Sequence, residues 1–139
     1  FVGGDAPYNV RQRRGFKNWL KAVAAIHGYA LGDLSIVSHS DEALLEYNRK
    51  SLDHDTYTDI ITFDHSEDQT LSGDLLISFE RVSENAVNQG VGFGEELRRV
   101  MVHGVLHLAG FKDKTPQDSR IMRDAEDRAL AMFHVAHRG

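Results

Sequence analysis

The apolar positions along the chain follow two spacings, and their order predicts where helices and strands lie. Apolar residues three or four apart predict five helices, and short runs rich in apolar and β-branched residues predict three strands. The polar stretch from Ser66 to Gly73, between the last two strands, is too long for a tight hairpin and predicts a loop. The predicted strands cover residues 34–39, 59–65 and 73–79, and the predicted helices cover residues 9–28, a short segment after Ser40, residues 80–90, residues 94–110 and a long segment after Thr115.

Residues at the ends of these segments support the predicted helix boundaries. Gly28 and Gly110 stand where a glycine commonly ends a helix in a left-handed conformation. Thr115 is a predicted N-cap, followed by Pro116 at the first helical position and by Asp118 at the position of a capping box. The sequence therefore predicts where these helices begin and end as well as which faces they bury.

The helix predicted at residues 94–110 is apolar almost all the way round. Leu97, Met101 and Val105 lie on one side of a helical wheel, and Val102 and Leu106 lie on the other. A helix with this pattern is covered by other elements on several sides. Because helices and strands follow one another without regular alternation, the sequence predicts an α+β fold. We expect a small mixed β-sheet packed with several helices, with this helix at the centre.

Two histidines interrupt the apolar surface of this central helix. His103 and His107 are four residues apart, so their imidazoles project from the same face on successive turns. This is the geometry of the H-E-x-x-H zinc helix, although Gly104 stands where a zinc peptidase carries its general-base glutamate. Gly110 turns the chain back after the helix and makes Asp113 a candidate third ligand. His103, His107 and Asp113 are therefore a predicted metal site.

A second interpretation of the two histidines is that they are core residues paired with backbone or carboxylate groups. Under either interpretation the imidazoles need bonding partners, because each buried and unpaired polar group costs about 1–3 kcal/mol. A metal ion would satisfy both rings at once, and the spacing, the closing glycine and the following carboxylate fit that arrangement. On the residues alone, both interpretations stay open.

Composition narrows the chemistry that such a site can use. The chain has 139 residues, which fits a single domain over residues 1–139, and it has no cysteine, so a metal has to be held by histidine, aspartate or glutamate. The lack of cysteine also favours a reducing compartment. No apolar run approaches the roughly 20 residues that a membrane helix needs. The start of the chain lacks the pattern of a signal peptide.

The net charge of −5 argues against the binding of nucleic acid by bulk electrostatic attraction. Arginines are concentrated at residues 11–14 (RQRR) and 95–100 (EELRRV). Each cluster is predicted to be a solvated helix face rather than a binding patch. Binding of nucleic acid by such a chain would depend on a local positive groove.

The motif HGVLHLAGF, at residues 103–111, resembles a family signature. The family is YbeY, bacterial metal-dependent endoribonucleases whose pattern is H-G-x-L-H-L-x-G-Y-D-H, with the three histidines binding zinc. The segments YNRK…DTYTDIITFD, GDLLIS, GFGEELRRVMVHG and MRDAED are similar to further parts of the family pattern, in order and spacing over roughly residues 34–130. The resemblance implies a single metal-dependent hydrolase domain with a zincin-like fold, in which the central helix binds the metal.

The chain departs from the family pattern at the third metal ligand. Asp113 stands where the family has its third histidine, and Lys112 replaces the preceding aspartate. Carboxylate oxygen is an acceptable zinc ligand, but two histidines with one carboxylate also form the facial triad of non-haem iron. The resemblance therefore implies one zinc ion per chain, held by His103, His107 and Asp113, with iron or nickel as alternatives.

A second departure concerns a phosphate contact. Leu52 stands where the family carries an arginine that is implicated in engaging the RNA phosphate. Arg49 and His54 are candidate substitutes for that arginine, although the simpler interpretation is that both are ordinary surface residues. The contacts to the scissile phosphate are therefore the part of the family's chemistry that this sequence leaves open.

The resemblance implies a zinc-dependent endoribonuclease that cleaves single-stranded RNA in ribosomal RNA maturation and ribosome quality control, in the cytoplasm. Ribosomal RNA, together with ribosomal proteins, is the implied partner, and no membrane is expected. The general base is not evident from the sequence. Asp59, Asp74 and His65 are candidates only because they lie at strand ends, and turn or cap roles explain them more simply.

Two alternative functions come from other classes. The first is a metal-dependent hydrolase of another substrate, including a zincin-like peptidase. The absence of a glutamate at position 104 argues against peptidase chemistry. The second is a non-catalytic, ribosome-associated module whose metal is structural. A fourth protein ligand such as His39 or His65 would close the site and favour the structural role, whereas an open coordination position favours catalysis.

Overall fold

The computed structural model describes residues 2–3, 13–51 and 58–136, and it describes side chains for residues 15–50 and 58–134. This part of the chain contains five helices and four strands. In chain order they are β1 (Val2–Gly3), α1 (Arg13–Ile26), β2 (Ala30–His39), α2 (Asp41–Ser51), β3 (Ile60–Asp64), β4 (Thr70–Ser78), α3 (Phe79–Gln89), α4 (Phe93–Leu108) and α5 (Pro116–Ala136).

The four strands form one mixed sheet in the order β1-β2-β4-β3. β2 pairs in parallel with both β1 and β4, whereas β3 pairs antiparallel with β4. The predicted α+β class, a small mixed sheet with several helices, is confirmed. β2 is longer than predicted because it begins at Ala30, where its backbone pairs with the start of β4 at Thr70.

The predicted loop between β3 and β4 is wrong, because β4 already begins at Thr70 and the stretch forms a tight hairpin. The ladder that pairs Asp64 with Gly73 continues outward, and the N–H of Glu67 and the carbonyl oxygen of Thr70 are 3.1 Å apart. Only two residues then remain for the turn, and the first of them, Asp68, has a φ of 53°. Aspartate tolerates this left-handed conformation, so a tight hairpin forms without the glycine that usually marks such a turn in a sequence.

The sheet is covered by helices on both faces, as the alternation of side chains along β4 shows. Leu75 and Ile77 point into the larger core, which also contains the buried residues of α1, α4 and α5. Leu76, between them, packs with Leu44 and Ile61 in a smaller core under α2. The strand is therefore buried on both faces, and α4 lies directly against one of them.

The burial of α4 confirms the prediction of a central helix. Met101, Val102 and Leu106 are fully buried although they point in different directions from the helix axis. Each side is covered by a different neighbour, because α4 contacts α1, α3, α5 and the sheet. No helix among the described residues has the length and apolar composition that crossing a membrane requires.

Side-chain hydrogen bonds cap the starts of two helices, and the predicted N-cap at Thr115 is confirmed. The hydroxyl oxygen of Ser40 accepts from the backbone N–H of Ala43 at 3.2 Å, at the start of α2. The hydroxyl oxygen of Thr115 accepts from the backbone N–H of Asp118 at 3.0 Å, at the start of α5. These bonds satisfy N–H groups that the first turn of a helix leaves without partners.

The prediction that EELRRV is a solvated helix face is wrong for its two arginines. The Arg98 guanidinium lies over the Phe133 ring, 4.5 Å from its centroid. Arg99 is 3.1 Å from Glu126 and 3.0 Å from Asp127, and 16% of its side chain is exposed. The reason is that α5 packs across this face of α4, a long-range contact that helical spacing cannot indicate. The side chains of residues 11–14, the RQRR cluster, lie outside the described part.

Candidate metal centre

The end of α4 positions the three predicted ligands. The N–H of Gly110 donates to the carbonyl of His107 and the N–H of Phe111 donates to the carbonyl of Leu106, each at 3.0 Å, and Gly110 has a φ of 98°. This is a Schellman motif, which ends the helix and reverses the chain. The reversed segment brings Asp113 back over the face of α4 that carries the two histidines.

In this structure the side chains of His103, His107 and Asp113 converge. The Asp113 Oδ2 atom lies 3.3 Å from His103 Nε2 and 3.6 Å from His107 Nε2. The two imidazole rings meet edge to face with their centroids 4.6 Å apart. Among the described residues, one ligand atom from each of these three side chains lies within 4.8 Å of the other two. The structure thus brings together the three residues that the sequence singled out.

The spacing of these atoms fits a divalent metal ion. Ligand atoms about 2.1 Å from a tetrahedral ion lie about 3.4 Å from one another. The two measured distances to Asp113 Oδ2, 3.3 and 3.6 Å, fall on either side of that value. Two neutral imidazoles and one carboxylate are also a donor set that zinc and iron both accept. The cluster could therefore hold such an ion, with coordination positions left over.

Neither histidine proposed as a fourth ligand belongs to this cluster. The ring of His39 packs against Tyr47, with centroids 5.6 Å apart. His65 lies near the surface, with its Nε2 atom 3.1 Å from Asp74 Oδ2. Because Asp113 leaves 44% of its side chain exposed, the cluster is open to solvent on one side. An open site of this kind is typical of catalytic rather than structural metals.

Glu126 fixes the orientation of His103. Its Oε2 atom lies 2.6 Å from His103 Nδ1, and its carboxyl group is buried with only 6% of the side chain exposed. This short contact makes Nδ1 the nitrogen that donates to Glu126, which leaves Nε2 to face Asp113. The second Glu126 oxygen accepts from Arg99 at 3.1 Å. The carboxylate is thus held from both sides.

The charges around His103 alter its acidity. Burial lowers the pKa of His103, but the hydrogen bond and the charge of Glu126, together with Asp113 and Asp59, outweigh burial and raise it above the ordinary value. Three carboxylates around one imidazole make a strongly negative pocket. A divalent cation is the kind of group that relieves such a concentration of charge.

Two residues of the cluster, His103 and Asp113, line a cleft with a volume of about 570 Å³. Most of the residues that line this cleft belong to α3, α4 and α5. Its polar lining includes carboxylates, amides and arginines from all three helices. The lining residues are Asp59, Asn85, Gln89, Glu96, Arg99, Val100, His103, Asp113, Ser119, Arg120, Met122, Arg123 and Glu126.

The structure separates the three candidate general bases. Asp59 lines the cleft together with His103, whereas Asp74 and His65 pair with each other and do not line it. Burial raises the pKa of Asp59, although the charge of His103 partly opposes this shift. A carboxyl group with a raised pKa inside a cleft is suited to accepting and returning protons. Asp59 is therefore the only one of the three in a position to act beside the cluster.

Gly104 is explained by packing against the sheet. A Cβ atom at this position would lie 2.8 Å from Leu75 Cδ2 and 2.9 Å from Ile60 Cδ1. The glycine lets α4 approach β3 and β4 closely, and a side chain there would point at the sheet. A peptidase-type glutamate therefore has no room at position 104.

The residues considered for phosphate contact lie in different parts of the chain, and not all of them are in the described part. Arg49 lies 3.6 Å from Glu46 on the surface of α2. Leu52 and His54 lie outside the described residues. Sequence reasoning gave no role to Arg120, Arg123 or Glu126, although the MRDAED segment quoted above includes two of them. Only the packing of α5 on α4 reveals that these side chains border the cleft.

Comparison with known proteins decides the family. The family model described as Endoribonuclease YbeY matches residues 6–134 of this chain. The chain belongs to the YbeY family. The Endoribonuclease YbeY of Bacteroides thetaiotaomicron is 48% identical over 121 residues, which cover 87% of this chain and 88% of that protein. The Endoribonuclease YbeY of Flavobacterium psychrophilum is 44% identical over 131 residues, 94% of each chain.

A solved structure supports the fold. The solution structure of TM1509 from Thermotoga maritima superposes with a TM-score of 0.63 at 22% sequence identity, covering 97% of this chain and 89% of that one. At this identity the likeness concerns the architecture alone. It agrees with the predicted α+β class.

Proposed function

We propose that this chain is a metal-dependent endoribonuclease that cleaves single-stranded RNA, with one zinc ion held by His103, His107 and Asp113. The observation that carries the proposal is the convergence of these three ligand atoms within 4.8 Å, beside a polar cleft that His103 and Asp113 line. Relatives that match most of this chain are named endoribonucleases. Residues 1–139 then form one catalytic domain, with ribosomal RNA as its substrate in the cytoplasm and ribosomal proteins as partners.

The residues around the cluster have separate tasks in this proposal. A bound divalent ion supplies electrophilic stabilisation of the charge that develops on the scissile phosphate. Glu126 keeps Nε2 of His103 directed at the ion by accepting from Nδ1. Asp59 takes up the proton released from the attacking oxygen, because it lies in the same cleft and its pKa is raised.

Two arginines on α5 supply the positive charge that an acidic protein needs near RNA. Arg120 and Arg123 line the cleft on successive turns of the helix that leads away from Asp113. Both side chains are exposed, so a phosphate can reach them. In this proposal they hold the RNA backbone against the cluster, which puts phosphate contacts on α5 rather than near Leu52.

The experiment that tests the proposal joins metal content to cleavage. Elemental analysis of tag-free protein is expected to give about one zinc per chain, and much less in Asp113→Ala, because one of three ligands is lost. Asp124→Ala, an exposed aspartate on α5 outside the cleft, is the control and should keep the metal. Iron or nickel at the same stoichiometry would change the identity of the proposed metal but would still support a metal site at these residues.

Cleavage is then measured on a labelled single-stranded RNA. His107→Ala should lose cleavage while it still unfolds cooperatively, since this side chain is partly exposed and contributes little to the core. Full cleavage by His107→Ala would refute the proposed mechanism. Hydrolysis of a peptide but not of RNA would favour the peptidase alternative, and a full metal content without any hydrolysis would favour the structural module.

A further inference from the structure

One polar atom at the end of the cleft away from the metal cluster has no partner. Glu96 is a cleft-lining residue of α4 with only 3% of its surface exposed. Its Oε1 atom is buried and makes no hydrogen bond within the described residues. Native proteins rarely leave a buried carboxyl oxygen unsatisfied, because it has lost water and gained nothing in exchange. An unpaired atom in this position indicates that a ligand group completes it.

Two amide side chains of α3 line the same cleft as this oxygen. Asn85 and Gln89 are one helical turn apart, and both line the same cleft. Gln89 hydrogen-bonds with the Glu96 carboxyl group, and its Oε1 atom accepts from Arg123 Nη2 at 3.4 Å. This last bond is long, and both of its side chains are exposed, so it opens readily. The cleft thus carries donors and acceptors from Glu96, Asn85 and Gln89.

The position of this set relative to the metal cluster is also fixed. Glu96 and His103 are seven residues apart on α4, which is two helical turns or about 10 Å along the axis. Both line one cleft of about 570 Å³, a size in the range of small-molecule sites. A nucleotide whose phosphate lies near His103 and Asp113 can therefore extend its base toward Glu96.

We propose that Glu96, Asn85 and Gln89 form a nucleobase subsite that selects bases with an exocyclic amino group. The subsite deepens the proposed endoribonuclease function and rests on it. The amino group donates to the free Glu96 oxygen, and the two amides bond with the ring nitrogens and carbonyls beside it. Gln89 and Arg123 move apart to admit the base.

The chemistry of the four bases makes this selection testable. Cytosine and uracil have the same ring and nearly the same size, but cytosine carries an amino donor where uracil carries a carbonyl acceptor. A carbonyl placed against the Glu96 oxygen would leave two acceptors facing each other. Cytosine is therefore expected to bind better than uracil, and a glutamine at position 96, which has a donor as well, should remove the difference.

The experiment is a calorimetric titration of the purified protein with cytidine 5′-monophosphate, uridine 5′-monophosphate and ribose 5-phosphate. In the wild type the cytidine nucleotide should bind about tenfold more tightly than the uridine nucleotide, the discrimination that one well-placed polar contact gives. Glu96→Gln should reduce this ratio to about one. Glu95→Gln, the same change on the neighbouring residue of α4 outside the cleft, should keep the wild-type ratio.

Two results would overturn the subsite. One is equal binding of both nucleotides and ribose 5-phosphate by the wild type, and the other is an unchanged ratio in Glu96→Gln. If Glu96→Gln fails to fold, Asn85→Ala serves instead, with Asn88→Ala on the exposed side of α3 as its control. Base preference in binding without any RNA cleavage would refute the proposed function and support the subsite. RNA cleavage without base preference would support the proposed function and refute the subsite.

Discussion

At the scale of single residues, the contact between Glu126 and His103 decides how well the cluster is organised. Glu126→Gln keeps the shape of the side chain and removes its charge, so the 2.6 Å contact to Nδ1 loses its charge assistance. We expect metal affinity to fall by about 10–100-fold, the usual effect of losing a partner of a metal-binding histidine. Competition with a chelator of known affinity measures it.

The matched control for this change is Asp124→Asn on the exposed side of α5. It removes the same charge two residues away without touching His103, and it should leave metal affinity unchanged. If Glu126→Gln binds metal as tightly as Asp124→Asn, orientation of His103 by the carboxylate is not important for the cluster.

Asp59 connects stability with catalysis at the same scale. Burial raises its pKa above the ordinary value of 3.8, so the folded state retains a proton that the unfolded state releases. Stability conferred by the protonated form is complete below pH about 4 and is lost as pH rises through the folded pKa. In metal-free protein, Asp59→Asn should therefore be more stable than the wild type at pH 7, with the difference disappearing near pH 4.

Denaturant unfolding at several pH values in the presence of a chelator checks this sign. The same variant should cleave RNA at least about 10²-fold more slowly, because it cannot accept a proton. A gain in stability together with a loss of activity identifies Asp59 as a functional carboxylate. An equal stability difference at pH 4 and pH 7 would show that its ionisation is not linked to folding.

At the scale of elements, Gly104 sets the distance between α4 and the sheet. Alanine is the better helix former by about 1 kcal/mol, but at this position its Cβ would lie 2.8 Å from Leu75. Overpacking of this kind typically costs about 1–3 kcal/mol, so Gly104→Ala should lower the free energy of unfolding. It should also displace His103 and weaken metal binding.

Gly94→Ala on the same helix is the control, because its added Cβ would meet only the flexible end of Arg98, at 3.2 Å. Urea unfolding of both variants gives the comparison. We expect Gly94→Ala to be neutral or stabilising and Gly104→Ala to be destabilising. Equal effects would mean that helix propensity, and not contact with the sheet, accounts for both.

The elements also show where reasoning from sequence succeeds. The course of α4 and the reversal at Gly110 depend on local spacing and on one glycine, and both were predictable. His103, His107 and Asp113 follow from these local features, so the candidate site was found as well. The β3–β4 hairpin was missed because its turn uses Asp68 in a conformation usually marked by glycine.

The features that sequence reasoning missed depend on contacts between distant segments. Glu126 reaches His103 across 23 positions of the chain, and Arg99 is covered by α5. No periodicity within one helix reports such a contact. The resemblance of MRDAED to the end of the family pattern was the available signal, and it gave Glu126 no role.

At the scale of the whole molecule, the question is how a chain with a net charge of −5 holds RNA. The proposed answer is local: Arg120 and Arg123 line the cleft, where they offset the charge of its carboxylates. Each phosphate neutralised by an arginine releases counterions, so log K should fall with log[salt] at a slope that counts such contacts. Arg120→Ala should reduce the magnitude of this slope by about one and weaken binding of all RNA sequences alike.

Lys21→Ala is the control, since it removes the same charge from an exposed position on α1 that does not line the cleft. Fluorescence anisotropy with a labelled single-stranded RNA, at four or more salt concentrations, gives both slopes. Equal slopes of log K against log[salt] for Arg120→Ala and Lys21→Ala would mean that the salt dependence of RNA binding reflects the net charge of the protein and not the position of Arg120. A smaller slope for Arg120→Ala alone means that α5 holds the phosphate, so that the helix whose Glu126 orients the metal cluster also supplies the cation that brings RNA to it.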